Sequence, residues 1–128
     1  MRTPRPVLVV EDDPALLRLL VGALLRDGHA VVGLDSGSAC AAWMESRAAA
    51  GEPSAALVLS DVRMPRGGGL ELLERLQKSA PSLPVLLMTA FGDSEVHRKA
   101  RLAGAVDVLD KPVDLDLLRA RVRALVAS

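Results

Sequence analysis

Five short apolar runs, each followed by a polar or Gly/Pro break and then a stretch of helical period, constrain this chain more than any other feature. Val7 to Val10, Ala30 to Leu34, Ala56 to Leu59, Val85 to Met88 and Val106 to Leu109 read as strands. Several are apolar without interruption, the pattern of parallel strands covered on both faces. Capping residues mark the helices between them. Asp13 before Pro14 and Asp114 before Leu115 suit helix starts, and Gly28 and Gly104 suit helix ends. Strand and helix alternating five times, with right-handed crossovers, predict an α/β fold: a doubly wound, five-stranded parallel sheet with five helices on both faces.

With 128 residues, the expectation is a single domain over 1–128, its core about 7–126, and no output domain. Sixteen basic residues balance sixteen acidic ones without a block of like charge, and the only aromatics are Trp43 and Phe91. Neither a counterion-releasing surface nor a base-stacking platform is supported, so direct nucleic-acid contact is not expected. Cys40, the only cysteine, can make neither an internal disulfide nor a zinc site alone, and reads as a half-buried apolar residue in a reducing compartment. Four apolar residues near the N-terminus are too few for a signal sequence or a membrane span, which points to the cytoplasm.

In a doubly wound sheet the functional crevice lies outside the carboxyl ends of the strands. The polar residues at those ends are Glu11 and Asp12, Asp61, Thr89 and Lys111. Three carboxylates so crowded repel one another, and a divalent cation relieves the repulsion. Oxygen ligands favour a hard ion, and Mg²⁺ leaves a coordination position for a phosphoryl oxygen. An aspartate beside such an ion, with hydroxyl and ammonium donors near, is arranged to accept a phosphoryl group.

Taken in order, Val9-Val10-Glu11-Asp12-Asp13, Asp61-Val62-Arg63-Met64-Pro65, Thr89-Ala90 and Asp110-Lys111-Pro112 resemble the receiver domain of two-component response regulators over about Val7 to Val126. The resemblance implies a flavodoxin-like, CheY-like fold with strand order 2-1-3-4-5. It implies Asp61 as the phospho-acceptor and Asp12 as the chief Mg²⁺ carboxylate, with Asp61 itself, Glu11 in the pocket and the backbone carbonyl of Arg63 completing the metal site. Thr89 would bond the phosphoryl group and Lys111 would pair with it, across a cis Lys111-Pro112 peptide. The donor would be a sensor histidine kinase or a histidine phosphotransfer domain. The downstream protein partner is not specified, and a homodimer is allowed. No external substrate is expected, since the chain would promote only its own phosphorylation and dephosphorylation. A phosphatase with an aspartyl-phosphate intermediate would need a second Asp where Arg63 stands. The rival reading is a non-phosphorylated pseudo-receiver, an interaction module alone.

Several features stand outside this pattern. Val108 occupies the position where the family usually carries Tyr or Phe, so a threonine-to-aromatic relay is not expected. Arg63 and Phe91 are expected to shield the phosphoryl group from water and slow its loss. Helical spacing puts Leu16, Leu20, Ala23 and Leu24 on a core face and turns Leu17, Val21 and Leu25 toward solvent as a candidate kinase contact. Gly67-Gly68-Gly69 reads as a flexible loop, and Arg119, Arg121 and Arg123 as a solvated face.

Overall fold

The computed structural model describes residues 5–65, 67–90 and 92–127. Strands β1 (Val7–Val10), β2 (Val31–Leu34), β3 (Leu57–Asp61), β4 (Val85–Ala90) and β5 (Asp107–Lys111) alternate with helices α1 (Pro14–Arg26), α2 (Gly37–Ala49), α3 (Gly69–Ser79), α4 (Ser94–Leu102) and α5 (Leu115–Ala127). All strand pairs are parallel and the order is β2-β1-β3-β4-β5.

The uninterrupted apolar runs are explained by two cores, one on each face of the sheet. Leu8, Val10, Val58, Val85, Leu87 and Val108 pack toward α2, α3 and α4, joined there by Leu72, Leu73, Leu76 and Val96. Their strand neighbours Val7, Val9, Leu57, Leu59, Leu86, Met88 and Leu109 pack toward α1 and α5, against Leu20, Leu24, Leu118 and Val122. Each strand residue therefore lands in one core or the other by the parity of its position.

The helix ends follow from local chemistry. Asp13 caps α1 by accepting the Ala15 N–H at 3.0 Å, and Asp114 accepts from Asp116 and Leu117 at the start of α5. Gly28 (φ 90°) and Gly104 (φ 104°) adopt the left-handed backbone just beyond α1 and α4.

Other expectations are corrected. Leu17 and Val21 face solvent only in part: they are half-buried across the edge strand β2, where a Cβ on Gly33 would lie 3.2 Å from Val21 Cγ2 and 3.5 Å from Leu17 Cδ1. Of that stripe only Leu25 is exposed, together with Leu19. Helical period alone does not say how far an edge strand reaches under a helix. Arg119 and Arg121 are not merely solvated either. Arg119 makes a two-pronged bond to Asp27 (2.9 and 2.7 Å), tying α5 to the end of α1, and Arg121 meets Asp107 at 3.1 Å. Cys40 is fully buried, and burial pushes its thiol up to about 12.

Candidate functional site

β3, β4 and β5 continue past their last apolar residues, so Asp61, Thr89 and Lys111 sit within the ladder rather than after it. Asp61 is in register with Met88, Thr89 with Asp110, and Ala90 with Lys111. Backbone pairing to one neighbouring strand holds each of these residues at its strand end. Parity then sorts them. Glu11, Asp61 and Lys111 each follow by two a residue of the α1/α5 core (Val9, Leu59, Leu109), whereas Thr89 and Asp110 follow Leu87 and Val108 of the opposite core.

Glu11, Asp12 and Asp61 bring one carboxylate oxygen each to within 4.8 Å of one another. Glu11 and Asp61 are buried, and Asp12 is exposed at the mouth. The Lys111 ammonium donates to Glu11 Oε1 at 3.0 Å and to Asp61 Oδ2 at 3.1 Å, and the Asp13 N–H donates to Glu11 Oε2 at 3.0 Å. The Lys111-Pro112 peptide is cis.

Burial pushes the Glu11 carboxyl above the usual range, against the pull of the Asp13 N–H and Lys111. Burial also works against the Lys111 ammonium, but its bonds to Glu11 and Asp61 outweigh that and hold it above the ordinary lysine value. One ammonium thus faces three carboxylates in a half-covered pocket. All the donors are oxygen, which suits a hard divalent cation. Thr89 Oγ1 is buried without a hydrogen-bond partner, an orphan donor one residue past Met88, the ladder partner of Asp61.

The approach to this pocket depends on glycine. A Cβ on Gly68 would stand 2.4 Å from the Val62 carbonyl oxygen, and one on Gly69 would stand 2.6 Å from that of Asp61. The Gly69 N–H donates to Val62 O at 2.9 Å. The triglycine segment is therefore a close-packed support for the backbone of Asp61 and Val62, not the flexible loop that its composition suggests.

Arg63 does not fold over the pocket as a shield. Its side chain is 74% exposed and its guanidinium donates to Asp93 Oδ2 at 3.1 Å. Phe91, the other expected shield, lies outside the described residues. Two features escaped the sequence reading: that Arg63 to Asp93 bond, and His97 Nε2 meeting Asp110 Oδ1 at 2.7 Å. An aspartate capping a helix carries no mark in the sequence of which cation it will meet.

The model of the response regulator receiver domain matches residues 7–123. The chain belongs to that family. The receiver is 42% identical over 108 residues to response regulator protein FleR of Pseudomonas aeruginosa, a match covering 84% of this chain and 22% of that protein. It is 38% identical over 120 residues to transcriptional regulatory protein TctD of Salmonella typhimurium, covering 94% of this chain and 51% of that one. Among solved structures, the receiver domain of NtrX from Brucella abortus superposes with a TM-score of 0.83 at 28% identity, covering 95% of this chain and 98% of the other. The receiver spans between about a fifth and a half of the length of these curated relatives. Its acidic pocket of Glu11, Asp12 and Asp61 fits the phosphorylation site of a two-component response regulator, and the pseudo-receiver reading is not supported. Among the described residues, no helix is long and apolar enough to cross a membrane.

Proposed function

We propose that this receiver takes a phosphoryl group from a phosphohistidine donor, on a sensor histidine kinase or a histidine phosphotransfer domain, onto Asp61. The observation that carries the reading is the set of three carboxylates within 4.8 Å with Lys111 bonded to two of them. An Asp61 carboxylate oxygen attacks phosphorus in line. The P–N bond to the donor breaks, and the donor imidazole leaves with the electron pair.

Asp12, Asp61, Glu11 and the Arg63 carbonyl would hold Mg²⁺, which when bound neutralises charge on the phosphoryl oxygens. Lys111 gives up its bond to Asp61 and pairs with the phosphoryl group. Thr89 donates its hydroxyl to a phosphoryl oxygen and so gains the partner it lacks. Phosphoryl loss reverses the roles, with water attacking the same phosphorus. The receiver thus promotes its own phosphorylation and dephosphorylation and turns over no separate substrate. It works in the cytoplasm, and a protein partner or a second copy of the chain reads its state.

The test is intact mass after incubation with acetyl phosphate and Mg²⁺. Wild type gains one phosphoryl group, while Asp61→Asn gains none, and chelation with EDTA abolishes the gain. An adduct on Asp61→Asn, or none on wild type with either acetyl phosphate or a phosphohistidine donor, overturns the reading.

A further inference from the structure

Helix α4 is held to the domain in an unusual way. It buries only Val96 and Ala100, and its last residue, Leu102, is 76% exposed. Alongside Val96, what fixes its first turns is charge. Asp93 performs two tasks: its Oδ1 accepts the Val96 N–H at 3.3 Å as the helix cap, and its Oδ2 accepts from Arg63 at 3.1 Å. One turn on, His97 meets Asp110 of β5. Arg63 itself stands only two residues, roughly 7 Å of extended backbone, beyond Asp61.

From this arrangement we infer that Arg63 is a positioning residue that reports the state of Asp61 to α4, by exchanging its Asp93 partner for the phosphoryl group. The inference rests on Asp61 being the phospho-acceptor. Val108, buried beneath α4, has no ring to swing and offers no competing relay. Charge supplies the drive. With a divalent cation bound, the three carboxylates and Lys111 balance. Phosphorylation turns the Asp61 carboxylate into an acyl phosphate, replacing its single charge with a dianion and leaving one negative charge uncompensated. The nearby guanidinium is exposed and bonded to a single carboxylate oxygen, whereas the phosphoryl group offers three strong acceptors. Once Arg63 leaves, Asp93 still caps α4 but no longer ties it to the loop after β3.

Beryllofluoride with Mg²⁺ serves as the phosphoryl mimic, its binding to each protein verified by ¹⁹F resonance. Amide hydrogen exchange is followed at Val96 and His97, both bonded to Asp93 through its side chain or its carbonyl. In wild type the mimic speeds exchange at these amides about threefold, the range one exposed ion pair supports, and shifts the Arg63 Nε–H resonance. Asp93→Asn keeps the cap oxygen and loses the ion pair. It binds beryllofluoride normally, exchanges in the free state at the wild-type bound rate, and gains less than about 1.5-fold on binding. Arg63→Lys retains a response of reduced size. A pair with only a structural role would change the free-state rate in Asp93→Asn and leave the response to beryllofluoride intact, and that result overturns the inference. So does bound beryllofluoride with unchanged Val96 and His97 exchange in wild type. Failure of beryllofluoride to bind wild type overturns the phospho-acceptor reading and the inference with it.

Discussion

Helices α1 and α4 flank the same crevice on opposite faces of the sheet, and they are anchored by different forces. α1 buries Leu20, Ala23 and Leu24 and half-buries Leu16, Leu17 and Val21, then ends at Asp27 in a two-pronged bond to Arg119 of α5. α4 contributes Val96 and Ala100 to the core and is tied further by Arg63 to Asp93, by His97 to Asp110 and, at 3.8 Å, by Arg101 to Asp107. Each buried leucine of α1 is worth roughly 1.5–3 kcal/mol of apolar burial, and that term is indifferent to a charge appearing at Asp61. An ion pair is not indifferent. A helix held by charge can be released by charge, and one held by packing stays put as a reference surface.

The contrast is broken or sharpened most strongly by truncating each anchor. Leu24→Ala in α1 removes a fully buried side chain and lowers stability by about 3 kcal/mol, read from the urea midpoint at constant m-value. Val96→Ala in α4, where the site is small and lies near the surface, costs about 1 kcal/mol. Equal losses from the two would mean that α4 is packed as firmly as α1 and would remove the basis of the comparison.

The smallest effect concerns the α1 to α5 clasp. Its bond to Arg119 holds the Asp27 carboxyl below its ordinary value of 3.8. A lowered carboxylate contributes stability that is complete above the unfolded value and is lost as pH falls through the folded one. Below about pH 4 the wild-type urea midpoint therefore falls more steeply than that of Asp27→Asn, with the two curves running parallel at neutral pH. Curves of equal slope through the acid range would show that the clasp adds nothing to the anchoring of α1.

Much of the fold was legible because burial on both faces writes itself into the strands as continuous apolar runs, and because Asp13, Asp114, Gly28 and Gly104 mark helix ends through local backbone chemistry. That Glu11, Asp12, Asp61 and Lys111 come together was legible, since each follows an apolar run and the fold class sends those ends to one edge. The strand ends were less so. Polar residues at 60–61, 89 and 110–111 keep pairing in the ladder, and hydrogen bonding to a neighbouring strand leaves no trace in hydropathy. The three glycines after Pro65 showed the opposite limit: a composition that suggests freedom belongs to a segment where no Cβ fits at Gly68 or Gly69.

What the sequence determined by itself is whatever depends on period and on chain neighbours: strand and helix alternation, the caps, and the identity of the residues delivered to the crevice. The tertiary structure decided which of two faces each functional side chain occupies, that β2 reaches under Leu17 and Val21, and which charges meet. Arg63 and Asp93 are thirty residues apart, Arg119 and Asp27 ninety-two, and Lys111 and Glu11 a hundred. A charged side chain exerts no pattern along the chain. Its partner is chosen only when the sheet has brought distant strand ends and helix termini within a few ångströms.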